Sequence, residues 1–179
     1  MKVTIKKGRH LSDQLTTPRF NIFNRNGGVL QAEVIFNDSC KYVFEDPKEQ
    51  GDWNKLMGCS WSFFPPIKSF QMHENSSRFV WRYNPTTDLF ELTWYIYKNG
   101  VRAYGTNGYE ILSFKSGDRL ELSIVPIVFK RSKEETEVCF KGEVNGEFKF
   151  RRTLFQPIPS INGWNAPGYF GEHSLPHTT

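Results

Sequence analysis

At 179 residues the chain is long enough for one domain with a sizeable core and short for two. Sixteen Phe, seven Tyr and five Trp, with 14 Gly and 10 Pro and little Ala or Leu, exclude a helical bundle, and a 38% hydrophobic share spread along the chain excludes a disordered one. The formal charge of +4, from 23 Lys and Arg against 19 Asp and Glu, comes without a dense basic stripe, so an acidic glycan is permitted as a ligand and nucleic acid is not expected.

The first ten residues, MKVTIKKGRH, place Val3 and Ile5 on one side of a short strand and offer no apolar run of the kind a secretory signal needs. No stretch anywhere approaches the ~18 apolar residues of a membrane-spanning helix, so no membrane contact is expected. VLQAEVIF, residues 29–36, is the next strand candidate. DPKEQGDWNKLMG, residues 46–58, is the one helix-compatible stretch, and Gly51 limits it to a short turn. SWSFFPP follows, with Trp61, Phe63 and Phe64 beside two prolines in a loop-like, apolar segment.

SRFVWRY then alternates. Phe79, Trp81 and Tyr83 share one face, and Arg78, Val80 and Arg82 the other. LFELTWYIY does the same, with Phe90, Leu92, Trp94 and Ile96 opposed to Leu89, Glu91, Thr93, Tyr95 and Tyr97. NPTTD between them is rich in turn formers, which predicts an antiparallel hairpin. Asn99-Gly100 and Asn145-Gly146 are tight-turn signals. RLELSIVPIVF alternates Leu120, Leu122 and Ile124 until Pro126, whose missing N–H predicts an edge or a bulge. FKRSKEE carries the longest basic cluster, cancelled at once by Glu134 and Glu135. From residue 156 the chain is Pro- and Gly-rich, and it reads as an irregular C-terminal arm over 156–179 with Trp164, Tyr169 and Phe170 as its rings.

Roughly eight to ten short strands in one domain predict an all-β fold. A single antiparallel β-sandwich of jelly-roll type over residues 1–179 is the first expectation, because the connections are uneven, and a lipocalin-like closed barrel is the alternative. Cys40, Cys59 and Cys139 are odd in number and widely spaced, which predicts free, buried thiols and neither a disulfide framework nor a cysteine metal site.

Scattered short patterns run through the chain. They are Gly8-x-His10-x-Ser12, Ser39-Cys40-x-Tyr42, Asp52-x-Asn54-Lys55-Leu56-x-Gly58, the run from His73 to Arg82, Tyr95-x-Tyr97-x-Asn99-Gly100-x-Arg102, and Tyr169-Phe170-Gly171 with Pro176-His177. In these the sequence resembles a group of small all-β proteins met in bacterial genomes and tailed phages. The resemblance implies an accessory part of a virion, such as a tail, fibre or capsid-associated component, whose partners are other protein subunits. It places the protein in the virion or in the cytoplasm of the producing cell, not exported by a signal of its own. Met72 stands where the group's pattern has a second histidine, and the chain stops at Thr179 where the resemblance implies a final strand, so an edge strand is expected to be missing or to be supplied by a neighbouring chain.

No signature of catalysis appears: no P-loop, no dinucleotide fingerprint and no Gly-x-Ser-x-Gly elbow. His10, His73, His173 and His177 lack the spacing of a metal site, and no cofactor is expected. The candidate ligand-binding set is therefore Arg78, Arg82, Glu91, Tyr95 and Tyr97, joined by His73 at the entrance to the strand. On one face they would offer guanidinium, carboxylate and phenol groups, which suit sugar recognition by stacking and charge-assisted hydrogen bonds, while a one-residue slip in register would scatter them. The candidate docking set is Trp61, Phe63, Phe64, Trp164, Tyr169 and Phe170. The expected function is a non-enzymatic binding or assembly module. The alternatives are a carbohydrate-binding module and a glycan-active hydrolase or lyase working through Glu91.

Overall fold

The structure is a computed structural model that describes residues 20–22, 30–60, 73–105, 110–127, 136–156 and 162–166. The strands are β1 (Phe20–Ile22), β2 (Leu30–Ile35), β3 (Asn54–Ser60), β4 (Ser76–Asn84), β5 (Leu89–Lys98), β6 (Val101–Tyr104), β7 (Leu112–Phe114), β8 (Arg119–Ile127), β9 (Thr136–Val144), β10 (Glu147–Gln156) and β11 (Asn162–Ala166). Between β2 and β3 lie two single 3₁₀ turns, Asp38–Cys40 and Glu49–Gly51. The described residues hold no α-helix, and none of their helices is long and apolar enough to cross a membrane.

The chain is all-β, in two antiparallel sheets that do not close into a barrel. Among the described residues the larger sheet has seven strands in the order β1-β11-β3-β4-β5-β6, with β7 also on β5, and the smaller has four, β10-β9-β8-β2. The outer edge of β5 is shared: β6 pairs with Tyr95–Lys98, and β7 pairs with Phe90–Leu92. Gly105 lies close to Thr93 between these two pairings, and a Cβ there would come within 2.3 Å of the Thr93 hydroxyl oxygen.

Alternation explains the layering. In β4 and β5 the pairs Phe79↔Trp94, Trp81↔Leu92 and Tyr83↔Phe90 stack their side chains on the inner face. They meet Leu120, Leu122 and Ile124 of β8, Val138, Phe140 and Val144 of β9, and Phe150 of β10 in one hydrophobic cluster. Phe79 sits edge-on to Phe140 at 5.3 Å and to Phe150 at 6.0 Å, bridging the sheets with ring contacts of about 0.5–1.5 kcal/mol each beyond their burial. Phe36, just past β2, fits against Trp81, Phe90 and Phe114 and closes one end of this core.

The turns behave as their residues dictate. Asn99 and Gly100 have φ of 49° and 79°, Asn145 and Gly146 of 52° and 79°, the paired positive values of a tight hairpin turn whose twist matches the strands. Asn145 adds two bonds: its side-chain oxygen accepts from the Arg119 N–H and its amide donates to Asp118, at 2.9 Å each, tying the β9–β10 turn to the start of β8. Pro126 lies inside β8, which has β9 on one side and β2 on the other. The described part of β2 reaches Ile124, two residues short of Pro126, which pairs with Val138 of β9 on the other side.

The helix-compatible stretch 46–58 holds a single 3₁₀ turn, Glu49–Gly51, that ends at Gly51 as expected, and from Asn54 the chain joins the sheet along β4. Two expectations need correction. The closed barrel is excluded by the two separate sheets. The arm read as irregular over 156–179 contains a true strand, since β10 runs to Gln156 and β11 lies between β1 and β3. NGWNA has poor strand propensity, but two flanking backbones supply hydrogen bonds to it, and tertiary context overrides propensity. The expected strand at Val3–Ile5 lies outside the described residues.

Candidate functional site

The outer face of the larger sheet is built by the strand residues that the core does not use. Register puts Arg78 opposite Tyr95, Arg82 opposite Glu91, and Ser76 opposite Tyr97. The five strand candidates therefore share one face, without the slip that would have scattered them. β6 extends the face, since Tyr104 lies opposite Tyr95 and Arg102 opposite Tyr97. β3 extends it on the other side, with Lys55 opposite Val80 and Gly58 opposite Arg78.

The candidates differ in access. Arg78 is fully buried at 0% exposure and Tyr95 nearly so at 3%, so neither presents its head group to solvent. The Arg78 side chain passes over Gly58, where an added Cβ would sit 2.6 Å from Arg78 Cγ. Arg82 and Glu91 form a cross-strand ion pair, Nε to Oε2 at 2.6 Å, with Arg82 27% and Glu91 13% exposed. The second Glu91 oxygen accepts from Asn84 Nδ2 at 3.0 Å, and Arg82 Nη1 donates to the Gly51 carbonyl at 3.1 Å. The Arg82 guanidinium also lies over the Trp53 ring at 4.4 Å. His73 is exposed and stacks on half-buried Tyr97 at 4.8 Å.

Beside this pair lies a depression of ≈ 160 Å³ lined by Gly51, Asp52, Trp53, Lys55, Tyr95, Arg102 and Tyr104. Tyr104 stacks over Tyr95 at 6.2 Å and meets Trp53 at 6.5 Å, so three rings form its floor and wall. Lys55 holds its ammonium 5.7 Å from the Tyr95 ring centre, and Arg102 its guanidinium 5.7 Å from that of Tyr104. The Tyr95 hydroxyl donates to Tyr97 at 3.3 Å. Burial first, then the neighbouring Tyr97, pushes the Tyr95 phenol well above its usual range, and Arg102 partly offsets this. The same phenols act on Arg102, whose charged form is favoured first by Tyr95 and further by Tyr97 and Tyr104.

No protein-family model, curated protein or solved structure matches the chain. The chemistry of the face must therefore stand on its geometry.

A second groove, ≈ 460 Å³, lies on the other side of Arg82 between Val43, Phe44, Pro47 and the β4–β5 turn at Asn84–Thr86. Gln50 seals its base: its amide donates to the Tyr83 and Tyr42 carbonyls at 2.9 and 3.3 Å, and its oxygen accepts from the Phe44 N–H at 2.9 Å. Beneath it the Tyr42 hydroxyl accepts from Asn54 Nδ2 at 2.8 Å and from the Tyr83 N–H at 3.3 Å, and burial raises its pKa to about 12. At the rim Lys41 pairs with Asp88 at 2.7 Å and Asp38 at 3.2 Å, and Tyr83 donates its hydroxyl to Asp88 at 2.8 Å. These contacts pin the strap 37–53 to the sheet and leave few groups aimed at a ligand.

Of the docking candidates, Trp61, Phe63, Phe64, Tyr169 and Phe170 lie outside the described residues. Trp164 sits in β11, in register with Phe20 on one side and Ser60 on the other. Among the described residues no three His, Cys, Asp or Glu side chains converge as a metal cluster. The cysteines are free: Cys59 and Cys139 are buried and Cys40 is half-buried.

Trp53, Lys55, Arg102 and Tyr104 are the site residues that the sequence reading did not single out as binding groups. Their signal was present but weak. Arg102 and Tyr104 follow the Asn99-Gly100 turn at alternate positions, and the pairing partner of β3 could not be read without its neighbours.

Proposed function

We propose that this chain is a non-enzymatic binding module whose working surface is the outer face of the larger sheet, and that its ligand class is a glycan. The observation that carries the reading is the depression in which the half-buried rings of Trp53 and Tyr104, backed by buried Tyr95, stand beside Lys55 and Arg102. Rings in a shallow, part-exposed cleft stack on the apolar face of a pyranose, and fixed polar groups around them read hydroxyls. A hydrolase reading needs a carboxylate able to exchange a proton with substrate. Glu91 has both oxygens engaged, by Arg82 and Asn84, which favours a holding role.

The deciding experiment exposes the purified chain to a panel of neutral and acidic polysaccharides and reads binding and chain cleavage together. Binding without cleavage is expected. Cleavage abolished by Glu91→Gln would replace the module by an enzyme, and silence in both channels would remove the glycan.

The assembly reading, an accessory component of a phage virion with other subunits as partners, is proposed on the sequence resemblance alone. Its location, virion or cytoplasm of the producing cell, goes with it. Jelly-roll connectivity belongs to the same proposal: the described strands change sheet at β1–β2, β2–β3, β7–β8 and β10–β11, β3 to β6 and β8 to β10 run as meanders, and β7 returns to β5.

A further inference from the structure

The larger groove beside Gln50 is sealed by internal hydrogen bonds, and the Lys41 ammonium is committed to Asp38 and Asp88. The depression on the outer face differs. Among the described residues Arg102 meets phenols and no carboxylate: its neighbours are Tyr95, Tyr97 and Tyr104. Asp52, on the same rim, makes no side-chain hydrogen bond or ion pair with a described residue. Among the described residues, an exposed guanidinium with no carboxylate partner, beside a ring platform and a carboxylate that no described side chain engages, is a complementary set of groups for one kind of molecule.

Resting on the glycan reading, we infer that this depression takes a carboxylate-bearing sugar residue, with Arg102 holding the carboxylate, Trp53 and Tyr104 carrying the ring, and Asp52 accepting from a hydroxyl. The planar guanidinium fork matches a carboxylate bidentately, which a neutral sugar does not use. Lys55, which also lines the depression with its ammonium 5.7 Å from the Tyr95 ring centre, adds a second positive charge to the same basin. The single carboxylate among the lining residues, Asp52, fixes which way the ligand lies: carboxylate toward Arg102, hydroxyls toward Asp52. A volume of ≈ 160 Å³ accommodates one sugar ring and falls below the ~300 Å³ at which drug-sized pockets begin. A single-stranded nucleic acid fits less well. Its bases need several open stacking platforms along a basic track, whereas Tyr95 is buried and Asp52 and Glu91 stand on the face.

The test uses the full chain and oligosaccharides ending in sialic or uronic acid, each paired with its carboxyl-reduced counterpart. The acidic member of a pair is expected to bind at least about tenfold more tightly, a difference of ~1.4 kcal/mol. Arg102→Ala abolishes that preference, Arg102→Lys restores part of it, and Trp53→Ala weakens both members together. Thermal unfolding of the Arg102 variants stays at the wild-type temperature, since the side chain is exposed at a sheet edge. Equal binding of both members overturns the acidic inference and leaves the glycan module standing. Binding to no glycan overturns both. Tighter binding to an oligo-dT strand, lost in Arg102→Ala, reassigns the depression to nucleic acid and overturns the sugar-acid inference.

Discussion

Gly58 offers the sharpest test of how closely β3 and β4 approach. A Cβ at this position would lie 2.3 Å from the Ser77 carbonyl oxygen, 2.6 Å from Arg78 Cα and 2.6 Å from Arg78 Cγ. Ordinary contact begins near 3.4 Å, so relief requires a separation of about 1 Å between atoms of which two are backbone. Ser77 and Arg78 are fully buried in the middle of the larger sheet, and β5 holds β4 from the other side. A rigid central strand transmits such a shift instead of absorbing it. Gly58→Ala is therefore expected to cost about 3 kcal/mol or more, at the upper end of overpacking penalties. At ~2–4 °C per kcal/mol for a chain of this size, that lowers the melting temperature by roughly 6–12 °C. Two other glycines calibrate the scale. At Gly142 the clash, at 2.5 Å, is with the edge of the Phe150 ring, and at Gly51 nothing lies within 4 Å. Urea denaturation should thus order the alanine variants Gly51, Gly142, Gly58 from least to most destabilised, with Gly51→Ala within about 0.5 kcal/mol of wild type. A Gly58→Ala protein as stable as Gly51→Ala would refute the close approach and, with it, the described β3–β4 register.

The Arg82–Glu91 pair, bonded at 2.6 Å and partly buried, should show a coupling of about 1–2 kcal/mol in a double-mutant cycle with Arg82→Met and Glu91→Gln, measured by urea denaturation; a coupling near zero would mean that the pair is only a surface contact. Tyr42 sets an alkaline limit. Its folded pKa of about 12 lies above the ordinary value of 10.0, so its contribution is intact below pH 10 and is lost as pH rises toward 12. The loss amounts to roughly 2–3 kcal/mol over that window, Tyr95 acts in the same direction, and Tyr42→Phe should flatten the fall of stability with pH even though it lowers stability at neutrality. Thiol labelling of the native protein should reach Cys40 first and slowly, because burial raises its pKa, with Cys59 and Cys139 reacting only on unfolding; rapid labelling of Cys59 would contradict the core.

The period-two pattern carried most of the central architecture. Phe79, Trp81 and Tyr83 against Arg78 and Arg82, and Phe90 to Ile96 against Glu91 to Tyr97, were legible because each face has one chemical character and each hairpin is short. The Asn-Gly turns were legible for the same local reason. Burial of Arg78 was not legible, since alternation tells which face a residue takes and is silent on what covers that face. β11 was missed because its Gly, Asn and Ala have no intrinsic preference for a strand, and only the presence of β1 and β3 makes one. The depression was half seen. Tyr95 came from its strand, but Lys55, and Trp53 just before β3, join it through a pairing of β3 with β4 that sequence spacing does not encode.

The place of β11 also constrains the order in which the molecule can be made. β3, β4, β5 and β6 are consecutive neighbours and can pair as each leaves the ribosome. β1 emerges first of all the described strands, yet its described partner is β11, the last of them to be synthesised. During translation β1 must wait for this described partner while the rest of the sheet assembles, and β3 waits for the same strand. Completion of this edge is thus a late, long-range event, and a chain interrupted before Asn162 would leave two strands without their shared neighbour.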